Sequence, residues 1–275
     1  MPGQMGRIAA DEAAPWIERL ARVGFAAKGV LYLTIGVLSV RAAMGAGGRA
    51  VTDTHGALDV LHGTFGRAAV AIVALGLAGY GVWLLVSAFT DAEGRGREAK
   101  EIAMRIGAAA RGVVHLALAG TAISVAMWQR SGGGGNDSNA KHWTSRALEM
   151  PAGEYIVWGV AGGFAAFGIW QLYCAWKAKL DKHLDLQRLG QGARSVVVAL
   201  SRFGIAARGV VFITIGVLFA RAASRQDASE AGGTGASMRE LFAFGRWAFI
   251  GIAAGVAAYG VYQLIQARYR RIRVR

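Results

Sequence analysis

Three cations stand out as the side chains best placed for chemistry. Lys28, Arg111 and Arg208 each lie four residues after a glycine (Gly24, Gly107, Gly204) and just before another (Gly29, Gly112, Gly209). Each sits about one helical turn inside the start of a long apolar run, and one turn before Tyr32, His115 or Phe212. The positive end of a helix dipole at such a start favours a bound anion over an isolated charge. A phosphate-bearing ligand or a lipid headgroup fits. The competing reading is that all three snorkel to lipid phosphates as ordinary flanking cations, since one turn is within reach of a long side chain.

A second set of equivalent cations, Arg22, Arg105 and Arg202, precedes those runs and joins the candidate anion or headgroup contacts. Arg22, Gly29 and Gly36 are spaced by seven, as are Arg105, Gly112 and Ala119, and Arg202, Gly209 and Gly216. Small residues on one face let helices approach closely, so this stripe is read as a packing face.

A third set forms a candidate polar and aromatic pocket. Gly76, Tyr80, Trp83, Leu84 and Ser87 share a helix face by i+3 and i+4 spacing, and so do Gly163, Phe167, Trp170, Gln171 and Cys174. The third copy is Gly255, Tyr259, Tyr262, Gln263 and Gln266. Gln171 or Gln263 in hydrocarbon must turn inward and hydrogen-bond. The aromatic members could equally be interfacial anchors. His115 completes the pocket but has neither a second ligand nor a catalytic partner, which favours a packed neutral ring. His55, His62 and His142 lack metal-ligand spacing, and Cys174 is the single cysteine. Neither a nucleotide-cradling loop, a nucleophile elbow nor a metalloprotease pair occurs. No metal and no cofactor is implied, and an enzyme is the least supported class.

These residues need elements to hold them, and the chain repeats its elements three times. Gly24, Gly107 and Gly204 open one helix of each unit, and Gly66, Gly153 and Gly245 open a second. Tyr80, Phe167 and Tyr259 each fall fourteen residues beyond that second glycine. The apolar runs 25–40, 68–89, 113–128, 155–176, 205–220 and 247–265, with their flanks, approach the roughly 20 residues needed to cross hydrocarbon. A cleaved signal peptide would explain the first run alone, but Ile205 to Ala223 ends in the same Arg-Ala-Ala triplet deep inside the chain. The expected fold is therefore all-α: a polytopic membrane bundle of six transmembrane helices, built from three tandem hairpins with pseudo-threefold symmetry. Its divisions are a polar leader (1–18), repeats at 19–90, 101–177 and 199–268, and a basic tail (269–275).

Residues 1–22, 90–106, 177–203 and 268–275 carry three, four, six and five Lys or Arg, against two, three and three in 41–66, 129–153 and 221–245. This asymmetry places both termini in the cytoplasm of a multi-pass protein of the bacterial inner membrane. It also explains the net charge of +14 by anionic lipid rather than nucleic acid. The leader is expected to hold a short interfacial helix at most. The segments Ala57–Leu61, Ala147–Met150 and Met238–Phe242, which follow glycine-rich stretches such as Gly132 to Gly135, are expected to lie flat on the outer interface. Lys177, Lys179, Asp181, Lys182 and Asp185 read as a helix running on past the membrane.

The opening Gly24-Phe25-Ala26-Ala27-Lys28-Gly29-Val30, its copies at Gly107 to Val113 and Gly204 to Val210, and the closing Tyr80-Gly81-Val82-Trp83 with its copies resemble the bacterial membrane family called domain of unknown function 1206. The resemblance covers about Leu20 to Ala267 and implies a topology but no activity. The second repeat departs most, with His115 for an aromatic and Glu154 where the others have Arg67 and Arg246. The leading functional reading is a non-enzymatic membrane protein that contacts anionic lipid or a protein partner, with a closed, dry axis. Its rival is a small-solute or anion transporter whose cytoplasm-facing vestibule is lined by Lys28, Arg111, Arg208, Tyr80, Gln171, Tyr259 and Gln263. A lipid-modifying enzyme using His115 as base is the third.

Overall fold

The computed structural model describes residues 2–45, 54–90, 99–128, 136–177 and 190–270. Within them the chain forms eight α-helices: α1 (Pro2–Ala43), α2 (Thr54–Thr90), α3 (Ala99–Trp128), α4 (Asn136–Leu148), α5 (Gly153–Lys177), α6 (Gln191–Arg225), α7 (Thr234–Ala243) and α8 (Arg246–Tyr269). Six of these contain stretches long and apolar enough to span a membrane, two per repeat. The expected all-α bundle of three tandem hairpins is the observed fold. The glycine run Gly132 to Gly135, the charged stretch from Lys179 to Asp185 and the tail beyond Arg270 lie outside the described residues.

The leader is a correction. Instead of a short separate helix, α1 runs unbroken from Pro2 into the first span, which begins at Arg22. The Ala-rich stretch from Arg7 to Ala14 is built from strong helix formers, and a nucleated helix extends into such residues at little cost.

Around the bundle the spanning helices follow the order α3, α2, α1, α8, α6, α5. Three of the seams join successive repeats: α2 with α3, α5 with α6, and α8 with α1. Each is centred on a pair of glycines. A Cβ on Gly81 would stand 3.0 Å from the Gly112 carbonyl oxygen, one on Gly168 2.6 Å from that of Gly209, and one on Gly260 2.8 Å from that of Gly29. The heptad stripe of the first helices is thus the face that meets the preceding repeat, and glycine is required because backbone touches backbone. Two further seams close the hairpins of repeats 1 and 3, α1 with α2 and α6 with α8. The corresponding pair in repeat 2, α3 and α5, barely meets.

The basic end of the bundle is where the apolar spans of α1, α3 and α6 begin and α8 ends; because these helices start earlier, at Pro2, Ala99 and Gln191, the inner cations lie about three or more turns inside them and not at the positive dipole end expected of them. At the opposite, loop end, the second helices open on glycine for different local reasons. Gly66 (φ 75°) kinks α2 between its loop segment and its span, and Gly245 (φ 139°) turns the chain from α7 into α8, both in a conformation costly for other residues. In repeat 2 Ala152 takes the positive φ (61°), and Gly153 is needed because a Cβ there would collide with the Ala147 carbonyl oxygen.

The loop segments of repeats 1 and 3 turn inward instead of lying flat, whereas in repeat 2 Ala147 and Leu148 are half-buried and Met150 is exposed. Ala57 and Leu58 in repeat 1, and Ser237 and Met238 in repeat 3, are fully buried, and the Ser237 hydroxyl donates to the Val211 carbonyl at 3.1 Å. Their apolar faces gain more by filling the mouth of the bundle than by resting on a headgroup layer. Asp137 of α4 fixes one of them from a different repeat. Its carboxylate accepts from the Gly233 and Ala236 backbone N–H groups at 2.9 and 3.0 Å and pairs with Arg239 at 2.6 Å. It thereby satisfies the start of α7, where Gly233 brings no capping side chain.

Candidate functional site

The site is built from the aromatic residue that each repeat places on its two spans. Tyr80 meets His115, Phe167 meets Phe212, and Tyr259 meets Tyr32, with ring centroids 4.8, 5.0 and 5.0 Å apart and edge-to-face angles of 68°, 89° and 85°. Every pair joins the second span of one repeat to the first span of the next. Three equivalent contacts at one level give the pseudo-threefold arrangement its core, each in a geometry favoured by the ring quadrupoles.

The repeat-equivalent cations sit against these rings, but not alike. Lys28 is buried, its Nζ 4.2 Å from the centre of the Tyr80 ring. Arg208 lies within a cage of Phe212 (4.7 Å), Tyr259 (4.8 Å), Phe167 (5.7 Å) and Tyr32 (5.8 Å), and its guanidinium donates to Gln171 Oε1 at 3.1 Å. Arg111 is exposed, and its Nε donates to the Gly107 carbonyl of its own helix. The cause lies in the hairpins. Lys28 and Arg208 each rest on the second-span aromatic of their own repeat, whereas α3 and α5 are too far apart for Arg111 to reach Phe167 in the same way.

Arg270, from the basic tail (269–275), joins this group. Its guanidinium lies 4.8 Å from the Phe25 ring centre and 5.7 Å from that of Trp83, and donates to Gln266 Oε1 at 2.6 Å. Gln266 in turn donates to Gln263 Oε1 at 3.0 Å, so a polar chain runs from the basic end into the bundle. Gln263 and Gln171 do turn inward and hydrogen-bond, as residues in hydrocarbon must. The only signal that could have marked Arg270 is asymmetry: Asp91 and Ala178 hold its position in the other repeats.

Arg111, Arg208 and Arg270 all lie close enough to act electrostatically on Lys28. None of the described carboxylates lies at the basic end. Asp59, Asp137, Glu149, Glu154, Asp227, Glu230 and Glu240 belong to the loop segments or the loop-end start of α5. The ion pairs of Arg221 with Glu240, Arg225 with Glu230 and Arg239 with Asp137 are at that far end as well.

Arg22, Arg105 and Arg202 do a different job from the inner cations. Arg22 donates to the Ala267 and Arg268 carbonyls, both at 2.8 Å. Arg105 donates to those of Ala88 and Phe89 at 2.6 and 3.0 Å, and Arg202 to those of Ala175 (3.0 Å) and Trp176. Each arginine therefore caps the last turn of the preceding repeat's second span, where carbonyls lack intrahelical partners and the dipole is negative. The planar guanidinium suits the task because it reaches two carbonyls at once.

The aromatic pocket divides. Trp83 is buried beside Phe25, and Tyr262 packs near Tyr259 at 5.9 Å. Trp170 is 55% exposed and pairs with the equally outward Tyr173, so it is not part of the cluster. His115 packs on Tyr80, with Nδ1 donating to the Arg111 carbonyl at 2.7 Å. Toward the loop end, Tyr32, Ile35, Arg208, Val211, Phe212, Thr234, Met238 and Val256 enclose about 20 Å³, room for a single water.

The three-unit geometry agrees with what the chain is similar to. A family model described as Domain of Unknown Function (DUF1206) matches residues 23–91, 106–178 and 203–270, one match for each hairpin. The chain belongs to this family. An uncharacterized protein of Bacillus subtilis (strain 168), YxxB, is 28% identical over 265 residues, covering 95% of this chain and 94% of its own length. No solved structure matches. The DUF1206 matches begin between each capping arginine and its glycine, at residues 23, 106 and 203, and so include the inner cations, the aromatic pairs and the glycine seams.

Proposed function

We propose that this DUF1206 protein is a non-enzymatic, multi-pass protein of the bacterial plasma membrane, with both termini in the cytoplasm, that binds a phosphate-bearing anion at its basic end. One observation carries this reading: Lys28 and Arg208 are packed against aromatic rings within the bundle, and none of the described carboxylates lies at that end. Gathering like charges out of water is unfavourable unless an opposite charge joins them. The rings supply a cation–π contribution of about 0.5–2 kcal/mol each, which holds the cations in place without neutralising them. An anion with several acceptor oxygens neutralises them and takes up their N–H donors.

The test uses glycerol phosphate, a soluble headgroup analogue, titrated calorimetrically into the protein in a non-ionic detergent. Losing one charge-assisted contact costs about 1.5–3 kcal/mol, a roughly 10- to 100-fold weaker affinity. Lys28→Gln and Arg208→Gln should show that loss, and Arg208→Lys should lose less. Arg41→Gln, at the far end of the first span, should bind as the wild type does. Wild-type affinity in both Lys28→Gln and Arg208→Gln would refute the site.

A further inference from the structure

The hairpin of repeat 2 is open where its two counterparts are shut. In repeat 1 a Cβ on Gly24 would stand 2.9 Å from the Gly76 carbonyl oxygen, and one on Gly76 3.0 Å from that of Val23. In repeat 3 Gly204 meets the Tyr259 backbone and Gly255 meets Ala207. The equivalents in repeat 2, Gly107 and Gly163, have nothing within 4 Å of a Cβ. The consequence is visible along both helices: 22% of the span window is buried in each of α3 and α5, against 44 to 56% in the other four. By repeat register the open seam is lined by Ile106, Gly107 and Ala110 on one side and Gly163 and Phe167 on the other, an apolar slot reaching from the bilayer toward the cationic cluster.

Two hydrogen-bond donors beside this slot lack acceptors. Gln171 stands one turn beyond Phe167 on α5 and is 8% exposed; its Oε1 accepts from Arg208, but its Nε2 has no partner. The Nε of Arg208, whose guanidinium also lies against Phe167, is likewise buried without one. Buried donors in hydrocarbon call for an acceptor. Arg111 stands exposed at the same end of the slot.

We infer that the α3/α5 seam is a lateral binding site for one anionic phospholipid, with its acyl chains between the two helices and its phosphate at Arg111, Gln171 and Arg208. The inference rests on the anion-binding reading above and names the source of the anion. Charge complementarity selects an anionic headgroup, and the glycine- and alanine-lined slot open to the bilayer selects a ligand that carries chains. Repeats 1 and 3 offer no such slot because their helices are in contact.

Native mass spectrometry of the detergent-purified full chain tests this, with phosphatidylglycerol and phosphatidylcholine of identical chains as probes and glycerol phosphate as the free headgroup. The wild type should retain one phosphatidylglycerol per chain, at least tenfold over phosphatidylcholine. Gly163→Leu, which adds a side chain where there is open space, should lower that retention tenfold or more and leave glycerol phosphate binding intact. Arg111→Gln should also weaken phosphatidylglycerol retention. Unchanged retention in Gly163→Leu, or equal retention of the two lipids, overturns the inference. A dimer in the wild type that Gly163→Leu abolishes would overturn it too, by making a second copy the occupant of the seam. Complete disulfide formation between Gly107→Cys and Gly163→Cys in a Cys174→Ala background overturns it by showing that the seam shuts on itself. The two readings fail separately: loss of phosphatidylglycerol in Lys28→Gln and Arg208→Gln but not in Gly163→Leu removes the seam alone. Retention in all of these variants removes the anion site as well.

Discussion

Gly260 and Gly163 are both second-span glycines, yet a single methyl group should affect them in opposite directions. A Cβ on Gly260 would stand 2.5 Å from the Leu33 nitrogen and 2.8 Å from the Gly29 carbonyl oxygen. Ordinary contact begins near 3.5 Å, so α8 and α1 must separate by about 1 Å. The obstructing atoms are backbone, and no rotamer change relieves them. Overpacking of this kind costs about 1–3 kcal/mol. Gly163→Ala meets nothing within 4 Å and exchanges a flexible residue for a good helix former, a gain of about 0.5–1 kcal/mol. The pair should therefore differ by about 1.5–4 kcal/mol. For a chain of this size that corresponds to a gap in unfolding midpoint on the order of 5–10 °C. Thermal unfolding in one detergent, followed by loss of the monomeric peak on size-exclusion chromatography, reads the difference directly. If Gly260→Ala unfolds at or above the temperature of Gly163→Ala, the inter-repeat seams are not the backbone contacts described, and the contrast with an open hairpin in repeat 2 is lost.

Arg202→Gln removes a guanidinium that serves the Ala175 and Trp176 carbonyls, and should cost about 1–2 kcal/mol of stability, with Arg202→Lys recovering part of it; a midpoint equal to the wild type's would remove the capping role. Asp137→Ala uncaps α7 and breaks its pair with Arg239, which should cost about 1–2 kcal/mol. A cysteine placed at the buried Met238 in a Cys174→Ala background should then react faster with a polar maleimide than it does with Asp137 present, and an unchanged rate would count against the cap. Met238→Ala should enlarge the space beside Arg208 and destabilise the chain by about 2–5 kcal/mol, measured by the same unfolding assay; a change under 1 kcal/mol would mean that the loop end is not packed as described.

Much of the architecture was legible because it was written three times. Matching offsets from Gly24, Gly107 and Gly204 and from Gly66, Gly153 and Gly245 identify the hairpins without any contact being known. Run length then makes them membrane spans. The seven-residue stripe marked the packing faces, and the structure supplies their partners. Two expectations gave way to packing: the leader joined the first helix, and the loop segments turned inward at Leu58 and Met238.

What the sequence by itself determined is the set of equivalent groups: inner cations, ring-bearing positions, glycines and capping arginines, each at a fixed place on its helix. Only the tertiary structure decided what those groups meet. A helical repeat fixes direction around and along one axis, whereas partner and distance depend on where neighbouring axes lie. So equivalent residues have unequal fates: Lys28 is buried on Tyr80, Arg208 is caged by four rings, and Arg111 is exposed beside a hairpin that does not close. Arg270 belongs to none of the repeated sets and became part of the site because the last span packs against the first, bringing the end of the chain over Phe25.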